Sequence, residues 1–315
     1  MMLLKRPMLF FITLALAACS LAPAGPAASP AVPASPVATL TAPPALPSAT
    51  ATLLPTDTPP PTPTPVPTLG VGSRRISPAD SMVQVYVPAG SFLMGSADSD
   101  GAAYADEKPQ HAVTLGAFWI DQTEVTNGQY RLCMVAKACK EPARVSSNLR
   151  DQYYGNPAFA NYPVIWVSWN DAQAYCKWAG RRLPTEAEWE KAARGTDGRI
   201  YPWGDTPPDQ TLADFGNTLK DVAQSGSAPG GASPYGAVDM AGNVWEWVAD
   251  WYGMDYFTHS PQANPTGPDS GTQRVLRGGS YTYTAPGIRA AYRFQKEPTF
   301  KSSEVGFRCA SDGTP

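Results

Sequence analysis

Apolar positions along the chain change character three times. Behind Lys5 and Arg6 they run almost unbroken from Met8 to Ala18, which is the charged start and apolar middle of an export signal, too short to span a bilayer comfortably. From Leu21 to about Gly72 the sequence is almost wholly Ala, Pro, Thr, Ser and Val. Such a composition cannot bury a core, and it predicts an extended stalk with polyproline II character. From Ser81 the pattern changes again. Val83, Val85 and Val87 alternate with Gln84 and Tyr86 and then meet Pro88, Ala89 and Gly90, which predicts a strand ending in a turn.

Three helix starts follow, each a hydroxyl residue with an amide or acid three places on: Thr126 with Gln129, Ser168 with Asp171, and Thr185 with Glu188. Such pairs satisfy the orphan amides of a first helical turn reciprocally. Gly180 and Gly195 should end the second and third helices, because glycine tolerates the left-handed cap. Beyond Gly195, Gly, Pro, Asp and Asn are frequent and long apolar runs are few, so most of this part should be loop held on a small scaffold. Loops of that length need something to order them, and nine tryptophans and cross-links are at hand.

Composition sharpens this division. The 34 prolines among 315 residues are too many for one compact fold, and they are densest in the stalk, where 15 fall between positions 19 and 75. A net charge of -3 with a pI near 5.5 offers no basic face for a nucleic acid. Leu16, Ala17 and Ala18 precede Cys19, and this resembles the lipobox of bacterial lipoproteins. It makes Cys19 the lipidated first residue of an exported protein anchored at the cell surface or periplasmic face; an ordinary cleaved signal with an incidental cysteine is the alternative. The domains are thus a signal at 1–18, a stalk at 19–75 and a folded head at 76–315.

Without Cys19, Cys133, Cys139, Cys176 and Cys309 remain, an even number for an oxidising compartment. Two disulfides are the simplest reading. Cys133 and Cys139 can close a small loop, which leaves Cys176 and Cys309 to tie the middle of the chain to its end. No Cys-x-x-Cys pair occurs, and His111 and His259 are the two histidines, so nothing has the spacing of a zinc site.

Five stretches carry a resemblance to a known family. They are YVPAGSFLMG from Tyr86, DQTEVTNGQY from Asp121, the long run from Val167 to Gly204, MAGNVWEWVADW from Met240, and RGGS from Arg277 with GFRC from Gly306. In that order they resemble the formylglycine-generating, or sulfatase-modifying factor, family across residues 81 to 312. The resemblance implies an α+β fold, irregular and loop-rich, with few helices and short antiparallel strands, related to C-type lectins. It also implies a Cys176–Cys309 disulfide.

Oxidase members hold copper through two cysteines between RGGS and GFRC, where soft thiolates suit Cu(I). Between Ser280 and Gly306 this chain has no cysteine, so copper is not expected and Ser280 has no metal to serve. The iron-dependent sulfoxide synthases of the same superfamily need more histidines than His111 and His259. Calcium transfers better by resemblance: Asp239 and Glu246 side chains with Gly242 and Val244 carbonyls match one structural calcium loop. Asp214, Phe215, Asp221 and Ala223 match a second less closely.

What remains is a non-oxidase binding module, with Tyr281, Tyr283, Arg289 and Arg293 as its surface and a peptide, protein or small molecule as ligand. C-type-lectin-like variable proteins vary this same region. An oxidase acting through an unrecognised site is the alternative function. Arg181 and Arg182 with Glu186, Glu188 and Glu190 suit either a charged recognition surface or, by default, helix-dipole complements and salt bridges. Trp245 and Trp247 suit either a groove or the core, with the core as default.

Overall fold

A computed structural model describes residues 69–313. The expected export signal, Cys19 and nearly all of the expected stalk therefore lie outside the described residues. The first half of the head contains β1 (Arg74–Ile76), β2 (Val83–Val87), β3 (Gly90–Met94), β4 (His111–Leu115), β5 (Phe118–Asp121) and three helices. The helices are α1 (Asn127–Val135), α2 (Trp169–Trp178) and α3 (Glu186–Arg194), and each begins with the capping box expected of Thr126, Ser168 and Thr185. Gly180 and Gly195 take positive φ just past the second and third helices, so both chain reversals occur where no Cβ opposes them.

From Gly195 to Val244 no strand or α-helix forms among the described residues, as the turn-rich composition predicts. The chain then makes β6 (Trp245–Trp251), β7 (Arg274–Arg277), β8 (Phe294–Lys296), β9 (Val305–Phe307) and β10 (Ala310–Asp312). These strands build two four-stranded sheets, ordered β1-β2-β5-β10 and β8-β7-β6-β9, and β3 pairs with β4 in a hairpin. All pairings are antiparallel except β6 with β9.

Burial departs from the alternation of β2 at one position. Val85 and Val87 are buried, but so is Gln84, whose amide donates to Asp121 Oδ1 at 3.1 Å. A buried side chain of this type needs such a partner, and β5 supplies it. The folded head also starts two residues ahead of 76: β1 pairs with β2, and the Arg75 guanidinium covers the Trp119 ring at 4.6 Å. Two arginines after a polar stalk carry no local signal of a strand, because their partners are remote in sequence. Trp245 and Trp247 are buried in one core cluster with Tyr130, Tyr175 and Phe307, so they are core and form no groove.

Both disulfides close as the cysteine count allows. Cys176 in α2 bonds Cys309, 133 positions on, and Cys133 in α1 bonds Cys139. The longer loop restricts the unfolded chain far more in the chain-entropy model. Replacing Cys176 and Cys309 together by alanine should lower the unfolding free energy by about 5 kcal/mol, against about 2 kcal/mol for Cys133 with Cys139. Urea unfolding of the two double variants measures the difference, and equal losses would contradict it.

Candidate functional site

The segment after β7 turns on Gly278 and Gly279. Gly279 has φ of 77°, and a Cβ there would lie 2.5 Å from the Gly287 carbonyl oxygen, so no other residue fits the turn. It delivers Ser280 into the protein, where Ser280 and Thr282 hydroxyls both donate to Glu304 Oε2 at 2.8 and 2.7 Å. Tyr283 then lies edge-on to Trp245, ring centroids 4.9 Å apart, and Phe294 stacks on the same tryptophan at 5.0 Å. Tyr292 joins at 5.7 Å from Trp245 and 5.5 Å from Tyr104.

This packing revises the surface read from the sequence. Tyr281 is buried. Arg289 is buried as well, its guanidinium bidentate on Glu107 with both contacts at 2.7 Å. Arg293 is buried against both oxygens of Glu186 and the carbonyls of Asp106 and Gly253. Of the four, Tyr283 alone keeps a partly open face. The aromatic part of the outward surface is Tyr104, Tyr283, Tyr292 and Phe294 beside Glu304, and the last three of these rings pack on the buried Trp245. Tyr104 escapes a sequence reading because it comes from a loop almost two hundred positions earlier.

Behind the surface stands a buried ionic framework. Arg277 is fully buried and meets Glu190 at 2.5 Å and Glu186 at 3.3 Å, and Glu190 also accepts from Arg194 and from the Gly95 amide. The acids of α3 thus face inward as ion-pair partners, and only Arg182 with Glu188 stays partly exposed. Arg308 uses all five N–H groups, two on Glu246 and the rest on the carbonyls of Asp121, Gln122 and Val238.

A second group of acids has no cation. Asp214, Asp239 and Asn243 line a cavity of about 140 Å³. Both carboxylate oxygens of Asp214 and Oε2 of Glu124 are buried without a hydrogen-bond partner. Burial and the charge of Asp239 push Asp214 up to about 7. Burial and then Asp239 hold Glu124 well above the usual range. Gly242, with φ of 81°, lets the loop close over Asp214, since a Cβ there would lie 2.1 Å from the Asp214 carbonyl oxygen.

The family model of the sulfatase-modifying factor enzyme 1-like domain matches residues 73–313. The chain belongs to this family. It is 37% identical over 286 residues to a formylglycine-generating enzyme of Streptomyces coelicolor, covering 75% of this chain and 91% of that one. It is also 37% identical over 283 residues to the inactive C-alpha-formylglycine-generating enzyme 2 of Mus musculus, covering 74% and 87%. Among solved structures, PvdO from Pseudomonas aeruginosa superposes with a TM-score of 0.66 at 26% identity, over 78% of this chain and all of that one. Treponema denticola variable protein 1 shares the fold at a TM-score of 0.62 and 24% identity, over 76% and 98%.

Family membership makes calcium the ion to test against these residues. Glu246 is engaged by Arg308 on both oxygens and also accepts from Trp189 at 2.8 Å. It therefore serves as the counter-ion of Arg308. Asp221 accepts from Ser147, Arg150 and the amides of Asn148 and Leu149, which takes it out of a second loop site. Asp214 and Asp239 do fit a hard cation, with Glu124 as a neighbour the motif did not reveal. Among the described residues no three acidic, histidine or cysteine side chains form a metal cage, so backbone carbonyls and water must complete the set.

Arg308→Met should destabilise the head by about 3 to 5 kcal/mol, because it leaves Glu246 buried and unpaired. Thr284→Ala, exposed on the same segment, should change it by less than about 0.5 kcal/mol. Urea unfolding of both variants checks the contrast.

Proposed function

We propose that this chain is a lipid-anchored, exported member of the family that works as a calcium-ordered recognition head and does not perform copper oxidation. The observation that carries it is the segment between Ser280 and Gly306. It contains no cysteine, and Tyr283 and Phe294 pack there on Trp245. Cu(I) needs soft sulfur donors, which tyrosine and threonine hydroxyls do not replace. The four cysteines of the head are all in disulfides, so no thiol among the described residues is free to substitute.

The recognition surface is the aromatic face of Tyr104, Tyr283, Tyr292 and Phe294. Rings of this kind give large contact area for little lost side-chain entropy, and Glu304 supplies a hydrogen-bond acceptor at their edge. The ligand is a peptide, a protein or a small molecule. Lipidation at Cys19 would hold the head outside the membrane on its stalk, and the two disulfides suit that oxidising side. Asp214 and Asp239 would hold the calcium, whose chemistry is to neutralise their buried charge and fix the loop between them.

An oxidase reading is favoured by the retained, buried Ser280 and by the relative named formylglycine-generating enzyme. A relative named inactive is equally similar, so identity alone does not choose. With copper, oxygen and a cysteine-containing sulfatase peptide, the purified protein should form no aldehyde. Aldehyde formation at a rate proportional to bound copper would sink the proposal. Removing calcium with a chelator should lower stability by about 3 kcal/mol relative to calcium at roughly 100-fold its dissociation constant. In Asp214→Asn that response should shrink, and an unchanged melting midpoint in the native protein would refute the calcium assignment.

A further inference from the structure

A cleft of about 780 Å³ opens between α2, the N-terminal end of α3, the tip of β10 and the loop at Asn264. None of its walls comes from the segment between Ser280 and Glu304. One wall is a single face of α2, because Trp169, Gln173 and Lys177 are spaced four residues apart and stack above one another. The floor and opposite wall are apolar, with Leu115, Ala117, Leu183, Ala249 and Pro265. The volume is in the range of pockets that enclose a small organic ligand.

Charge selects the ligand. Arg182 is neutralised within the cleft: Glu188 takes its fork at 2.6 and 2.7 Å, and Asp312 accepts from the same guanidinium at 2.9 Å. Arg181 points away, bonded to Asp80 and Asp121. The indole N–H of Trp169 is used by the Val248 carbonyl, and Arg274 covers its ring at 3.9 Å, so this residue offers contact area and no donor. Gln173 and Lys177 make no side-chain hydrogen bond or ion pair within the described residues. Glu188 and Asp312 share Arg182, and the Asp312 side chain is 81% exposed at the rim, so among the cleft's lining residues Lys177 is the cation without a carboxylate partner. A cationic ligand would meet it, and a dianion would place its second charge near Glu188 or Asp312.

We infer that this cleft binds a small amphipathic monocarboxylate, its apolar body against Trp169 and Leu183 and its carboxylate at Lys177, with the Gln173 amide as a second donor. The same chemistry is offered by a free organic acid and by the terminal carboxylate of a short apolar peptide. The site is independent of the aromatic face around Tyr283.

Calorimetric titration of the full-length chain with 4-phenylbutyrate should show saturable one-to-one binding. Binding of 4-phenylbutylamine, and of the acid to Lys177→Gln, should be about ten-fold weaker or worse, as loss of one charged contact requires. Lys177 is exposed, so this variant should keep its melting midpoint. Gln173→Trp, also at an exposed position, should fill the groove and abolish binding. N-acetyl-leucyl-phenylalanine against its C-terminal amide separates the two carboxylate sources, and tighter binding than phenylbutyrate would assign the site to peptide ends. Tyr283→Ala should bind the acid like the native chain. The inference falls if acid and amine bind equally, if Lys177→Gln is indifferent, if Tyr283→Ala loses the binding, or if no saturable heat appears.

Discussion

Buried arginine–carboxylate pairs are the interaction on which this head depends. Arg277, Arg289, Arg293 and Arg308 are all nearly or fully buried, and each grips a carboxylate from a distant part of the chain. A fold with so little regular structure has few ladders to fix its loops, and a guanidinium offers five directed donors in one rigid plane. Arg308 shows the effect most fully, since its fork joins β5, the loop before β6, and β6 itself. Such pairs add little net stability over a well-packed apolar core. Breaking one, however, leaves a charge stranded in low dielectric, so they strongly penalise any other arrangement of the loops.

That framework sets what the surface can offer. Arg289 and Arg293 are consumed in holding the segment after β7, so neither guanidinium is left to face outward beside the aromatic rings. The same segment carries no thiol, and its turn at Gly279 presses Ser280 into the protein against Glu304. The acidic cavity at Asp214 contrasts with the framework: Glu107, Glu186, Glu190 and Glu246 each meet an arginine, whereas both carboxylate oxygens of Asp214 are buried without a partner.

Several features were legible without coordinates because their causes are local or combinatorial. Capping boxes depend on residues three apart, positive-φ glycines on a single position, and the disulfide pairing on the closeness of Cys133 to Cys139 together with the family resemblance. The family resemblance added the order of motifs, and with it the loop-rich α+β fold. The acids expected to bind calcium were read without their partners. A motif can show that Glu246 and Asp221 carry suitable oxygens, but it cannot show that Arg308, or Ser147 with its neighbours, already occupies them.

The sequence by itself determined the helix ends, the family and the missing thiols between Ser280 and Gly306. These rest on composition, local chemistry and identity, which need no third dimension. Tertiary structure alone decided which charges are spent and which are free. Arg289 and Arg293 read as surface until Glu107 and Glu186, each more than a hundred positions away, enclose them, while Lys177 stays unpaired beside a cleft that no motif announces. Charge pairing is a property of distance in space, and along the chain those partners have no fixed spacing to read.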